Sequence, residues 1–188
     1  MRKKKLIKYG TLFLIGTLLL YNILPMGDYG RGMGSGLALV LFGSILILAF
    51  IIVALRFGIA LYRGQKDYDF IPLLIIACYL LIAWIALAAD GHKFWTNKVL
   101  GANIENQHTS GGSLTLYKNN SFAATRLYAD FSETFQGNYT IVNDTLYLER
   151  DNLSKITDSL FTTQYFISKK DSTLFAKGTG FDNLKIAP

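Results

Sequence analysis

Three long apolar stretches in the first ninety residues constrain this chain more than any other feature. They run from about residue 9 to 24, 37 to 55 and 70 to 88, and none contains Asp, Glu, Lys, Arg or His. A helix rises 1.5 Å per residue, so about 20 such residues cross the hydrocarbon of a bilayer. The stretches therefore predict three transmembrane helices in a domain spanning residues 1–91. Asp69 is placed to cap the third, and Pro72 suits its first turn, where a missing N–H costs little. The first stretch follows a basic MRKKK start, as a signal peptide would. It has no small-x-small cleavage site before the next stretch, so an uncleaved span is expected.

Charge orients these spans. Five basic residues (Arg2, Lys3, Lys4, Lys5 and Lys8) precede the first, one (Arg31) lies in the 25–36 loop, and three (Arg56, Arg63, Lys66) lie in the 56–69 loop. Basic flanks stay on the cytoplasmic side. The expectation is a bacterial inner-membrane protein with its N-terminus in the cytoplasm and everything after the third span outside, in the periplasm. The formal charge of +6 arises entirely before residue 90, where nine Lys or Arg face three Asp. Beyond it the charges balance, so the basic pI of about 9.3 is a topology signal and no nucleic-acid partner is expected. The partners expected are the lipid bilayer and a protein, either another chain or a second copy.

After residue 92 the pattern changes from continuous apolar to alternating. Ser113–Tyr117, Ser121–Tyr128, Phe131–Val142, Thr145–Glu149, Phe161–Ser168 and Thr173–Lys177 read as strands, with a last one at Leu184–Ile186 and a first one within residues 92–111. Short polar turns separate them. Leu153, Ile156 and Leu160 are spaced as on a short helix over one end. The fold class expected is α+β: three transmembrane helices followed, over residues 92–188, by a small antiparallel meander closed as a barrel or sandwich, since closure hides sheet edges.

Leu114, Leu116, Asn119, Ser121 and Phe122, followed by Gly137, Tyr139, Thr145, Leu146 and Leu148, form an L-x-L-x-x-N-x-S-F hairpin, a G-x-Y step and a T-L-x-L strand. This run of about 40 residues resembles the small lipocalin-like β domains of bacterial envelope proteins. The resemblance implies a barrel, an envelope location, core positions for Phe122 and Tyr139, and turns at Asn119 and Asn143–Asp144. It carries no catalytic or ligand-binding residue.

Few residues invite chemistry. The glycines of GDYGRGMGSG (residues 27–36) lack the preceding strand and the Gly-Lys-Ser/Thr of a phosphate loop, and read as a flexible hairpin with Asp28 and Arg31 solvated. His92 and His108 have no ligand-spaced companions, and Cys78, the one cysteine, lies within the third apolar stretch, so no metal and no cofactor are expected. His92, Lys93 and Trp95 suit a membrane interface, and His108 an exposed loop. Arg126, Glu133 and Glu149 read as a solvated outer face, and no catalytic constellation is visible. Asn119, Asn138, Asn143 and Asn152 each begin an N-x-Ser/Thr triplet, which is read as coincidental in so Asn- and Thr-rich a stretch. Aromatics are the enrichment, with fourteen of the chain's 26 beyond residue 90. Most must fill the core of so small a barrel; Tyr117, Tyr128, Tyr147 and Arg126 are the candidates for a partner or ligand surface. The functional expectation is a non-enzymatic protein displaying a β domain to a protein partner, as an immunity or inhibitor protein or an accessory subunit of an envelope complex. The alternative is a membrane-anchored barrel that binds a lipid or small molecule, with or without enzymatic activity.

Overall fold

The computed structural model describes residues 2–65, 68–104 and 111–187. The chain forms two compact units, Met1–Leu24 with Met33–Phe94, and Pro25–Gly32 with Trp95–Pro188. The second is thus assembled from two separate pieces of chain.

The first unit holds α1 (Arg2–Ile23), α2 (Met33–Tyr62) and α3 (Ile71–Ala88), each long and apolar enough to cross a bilayer. Leu19, Ile23, Leu46, Ile76, Ala83 and Ala86 make their shared core. Gly16 lets α1 and α3 approach, because a Cβ there would overlap the Tyr79 ring. That ring also takes an edge contact from Phe13 at 5.8 Å, and its hydroxyl lies 3.2 Å from Thr17 Oγ1. Both flanking loops are shorter than the sequence suggests. α2 continues to Tyr62, so Arg56 is helical; Tyr68 holds this end by donating its hydroxyl to Val53 O at 3.0 Å. Phe70 stands at the N-cap of α3 and its own side chain makes no capping bond, while the Asp69 carboxylate accepts from the Ile71 N–H at the helix start. The same carboxylate accepts the Tyr9 hydroxyl at 2.7 Å, with Lys5 and Lys8 at 4.0 and 3.9 Å. The Tyr9 hydrogen bond, aided by the two ammoniums, holds this carboxyl below the usual range against a smaller opposing effect of burial.

The second unit is a closed eight-stranded antiparallel β-barrel. Its strands are β2 (Lys98–Ile104), β3 (Gly111–Tyr117), β4 (Ser121–Leu127), β5 (Phe131–Val142), β6 (Thr145–Glu149), β7 (Gln164–Ser168), β8 (Thr173–Ala176) and β9 (Leu184–Ile186). Each pairs with the next, β9 returns to β2, and the β5–β6 pairing completes the ring. The turns form as the residue types demand. Asn143 and Asp144 both take positive φ (49° and 56°), the two-residue hairpin conformation whose twist suits paired strands. Asn119 Oδ1 accepts from the Ser121 hydroxyl at 2.8 Å, and Asn120 has φ 60°. Alternate residues point inward, and Leu114, Leu116, Phe122, Tyr139, Leu146, Leu148, Tyr165, Leu174 and Leu184 form one buried cluster. Each such side chain contributes about 1.5–3 kcal/mol by leaving water. The short helix α4 (Leu153–Ile156) and the turn after it add Leu153, Leu160 and Phe161 to that cluster, so this connection plugs the barrel rather than lying outside it.

The glycine-rich segment departs from expectation. Residues Tyr29–Gly32 form strand β1, antiparallel to the first residues of β5, from Tyr29 opposite Thr134 to Gly32 opposite Phe131. β5 is twelve residues long and changes partner along one edge: β1 takes Phe131–Thr134 and β6 takes Asn138–Val142. Gln136 sits in the gap. Its N–H donates to Asp28 Oδ1 at 3.0 Å, its carbonyl accepts from Arg150 at 2.6 Å, and its side-chain amide donates to Pro25 O at 3.0 Å. Arg150 also grips both Asp28 oxygens, at 2.7 and 2.6 Å. Asp28 is an exposed loop residue as expected, but it is not idle: it supplies the hydrogen bonding that a ladder partner would have supplied.

Candidate functional site

Toward one end of the barrel the inner face turns from apolar to polar. Cross-strand pairs on β4 and β5 run from Phe122–Gly137 through Ala124–Phe135 to Arg126–Glu133. Arg126 also stands opposite Gly112 of β3. A Cβ on Gly112 would lie 2.7 Å from Ile104 and 2.9 Å from Leu160, so that position faces inward and Arg126 with it. The reading of Arg126 and Glu133 as an outer solvated face is therefore corrected. Arg126 is in phase with Phe122 and Ala124, and its length takes the guanidinium to the barrel mouth.

There it pairs with Asp158, in the turn after α4, and lies 4.6 Å above the Tyr128 ring. Tyr128 stacks on Phe131 at 4.0 Å and donates its hydroxyl to Glu133 Oε2 at 3.1 Å. Burial, followed by the hydrogen bond to Glu133, raises the Tyr128 hydroxyl above its ordinary pKa, so it remains a donor through the physiological range. The cluster ties the plug to the wall at one end of the barrel.

A second feature lies on the outer face. Val142, Thr145, Phe166 and Phe175 are successive cross-strand partners on β5, β6, β7 and β8. Their neighbours Leu146, Tyr165 and Leu174 are in the core, so this row points outward. Phe166 is 45% exposed, Phe175 39% and Val142 54%. Tyr147, two residues beyond Thr145 on the same face and paired with Gln164, extends the row half-buried.

The four candidates from the sequence thus separate. Arg126 and Tyr128 meet at the mouth, Tyr147 lies beside the outer row, and Tyr117 is only 2% exposed and presents no surface. Phe166 and Phe175 escaped notice, although the alternation of their strands sets them out of phase with Tyr165 and Leu174. Near the end of α3, His92 is exposed and Trp95 is 46% exposed. Lys93 is buried, which lowers its pKa. His108 lies outside the described residues. Among those described, no three His, Cys, Asp or Glu side chains converge on a point that could hold a metal. No protein-family model, curated protein or solved structure matches the chain.

Proposed function

We propose that this chain is a non-enzymatic protein of a bacterial inner membrane that displays its barrel outside the cytoplasm to bind a protein partner. The observation that carries the binding role is the outward row of Val142, Phe166 and Phe175. Aromatic side chains left in water are costly and are enriched where partners dock. The interior favours the same reading over a ligand carrier, since Tyr165, Phe122 and Phe161 fill it as fully buried side chains.

Two contacts support three membrane crossings. β1, between α1 and α2, pairs with β5, which follows α3, so both must lie on one side of any bilayer. Asp69, between α2 and α3, meets Tyr9 near the start of α1, so those segments also share a side. If any one of the three helices crosses, the two contacts together require that all three do, and the basic N-terminal flank favours the cytoplasm for the Asp69 side. Within this reading the protein serves as an immunity or inhibitor protein against a toxin reaching the membrane from outside, or as an accessory subunit of an envelope complex.

The test is affinity purification of the full chain from native membranes in mild detergent, with protein mass spectrometry. A stoichiometric protein should accompany the wild type and be lost from the Phe166→Ser/Phe175→Ser variant. Recovery of the chain alone, under conditions that keep known envelope complexes intact, would overturn the proposal.

A further inference from the structure

The outward row of the barrel has an acidic flank and a basic one. Residues 138–149, which hold Val142, Thr145 and Tyr147, contain Asp144 and Glu149 and no basic residue. Residues 164–185, which hold Phe166 and Phe175, contain Lys169, Lys170, Lys177 and Lys185 against Asp171 and Asp182. Asp144, Glu149, Lys169, Lys170 and Lys177 are exposed, and among the described residues none of the five is in an ion pair. Lys185 donates to the Asp171 carbonyl at 3.0 Å, and the Asp171 carboxylate accepts the Ser168 hydroxyl at 2.6 Å.

The strands order these charges along the barrel as well as across it. The Asn143–Asp144 turn joins β5 to β6 and the Lys169–Ser172 turn joins β7 to β8, so both lie at one barrel end. Glu149 ends β6 and Lys177 follows β8, at the opposite end. A twofold axis parallel to the strands, in the plane of the contact and between β6 and β7, sets β5 and β6 of one copy on β8 and β7 of another. Asp144 then faces the Lys169–Lys170 turn and Glu149 faces Lys177, and symmetry makes each contact twice. Along the row, Phe166 meets Thr145 of the second copy, and Phe175 meets Val142. Thr145 is only 6% exposed between Val142 and Phe166, a low point that a phenyl ring fills. An axis across the strands has the reverse effect, setting Asp144 toward Glu149 and Lys170 toward Lys177. The charges therefore select one self-complementary arrangement.

We infer that, while no partner is docked, this row is covered by the same row of a second copy, in a twofold dimer that partner binding must break. The inference rests on the reading of the row as a protein-docking face and adds its regulation. Phe166 and Phe175 supply the apolar contact, and the two charged flanks set its direction. A partner reaches the aromatics by exchange with the second copy, so the row is kept out of water in both states.

The test is the protein mass per particle of the purified full chain in mild detergent, measured by analytical ultracentrifugation over a range of concentrations. The wild type should form a dimer, and Phe166→Ser/Phe175→Ser should weaken it at least tenfold. Two charge variants read the direction: Asp144→Asn/Glu149→Lys makes both flanks basic, and Lys170→Glu/Lys177→Glu makes both acidic. Each alone should dimerise about tenfold more weakly than the wild type, because like charges then meet twice. Mixed together, the two should recombine into a dimer of one copy of each, which also shows that both are folded. A wild type that stays a single chain, a dimer that survives Phe166→Ser/Phe175→Ser, or charge variants that do not recombine would overturn the dimer. Its failure is distinct from that of the partner reading. A chain that dimerises through this row but captures no other protein from native membranes overturns the partner alone, and a single chain that captures one overturns the dimer alone.

Discussion

Asp28 and Arg150 stand 122 positions apart in sequence, yet they form a two-pronged ion pair that also closes the open edge of β5. Each partner has a second task at Gln136, Asp28 accepting its N–H and Arg150 donating to its carbonyl. The pair thus fastens β1 to the barrel at the point where the strand ladder is interrupted.

The interaction should be visible in a double-mutant cycle. Asp28→Ala and Arg150→Ala are each expected to destabilise the barrel, with a coupling energy of about 1–3 kcal/mol, since charge-assisted, two-pronged bonds exceed neutral ones. Chemical denaturation of the full chain in detergent, followed by near-ultraviolet circular dichroism, measures it. Strict additivity of the two single variants would show that the fork contributes nothing.

Acid should weaken the same joint. The Arg150 hydrogen bond, with the Gln136 amide, holds the Asp28 carboxyl below its ordinary value of 3.8 despite opposing burial. A depressed folded-state pKa means that the unfolded chain binds the proton more readily, so stability rises with pH through this range. The contribution is complete above about pH 4–5 and is lost as pH falls through the folded value. Asp28→Asn should flatten the acid limb of a stability–pH profile; an unchanged limb would remove Asp28 as its source.

Two glycines of the barrel unit should respond oppositely to alanine. At Gly112 the new methyl meets Ile104, Leu160 and Phe161 within 3.0 Å, and overpacking costs about 1–3 kcal/mol. At Gly30 of β1 its nearest neighbour is Ser132 O at 3.6 Å, an ordinary contact. Thermal melts should show a lower Tm for Gly112→Ala and little change for Gly30→Ala. Equal effects would contradict the inward placement of Gly112.

The orientation proposed above makes a labelling pattern. In a Cys78→Ala background, Met26→Cys and Lys170→Cys should react with an impermeant maleimide on the outer face of intact spheroplasts. Gln65→Cys should react only after permeabilisation. All three positions are exposed, so access and not burial decides the outcome. Labelling of Gln65→Cys in intact cells would invert the arrangement.

Where side chains alternate over several residues, the fold was legible. Leu114 and Leu116, then Leu146 and Leu148, declared their strands through period two, and Asn143–Asp144 declared its turn through residue type. β1 was not legible, because YGRG has too few side chains to show a period and its partner lies about a hundred residues away. The misreading of Arg126 has a different source. A charged residue near a strand end reads as solvated, while its phase with Phe122 and Ala124 places it inside, and a long side chain satisfies both. The outer row needed register as well as phase, since only the pairing of β7 with β8 sets Phe166 beside Phe175.

The position of β1 also fixes an order of events in the making of this protein. Gly32 leaves the ribosome about a hundred residues before Phe131, its partner in the sheet. At synthesis rates of about 5–20 residues per second, the wait is on the order of 5–20 s. Through that interval Asp28 has no Arg150 and Tyr29–Gly32 has no ladder, so the segment must stay unpaired and reachable while α2, α3 and half the barrel are made. A run with three glycines among residues 25–32 suits that delay, being too poor in apolar side chains to bind elsewhere first.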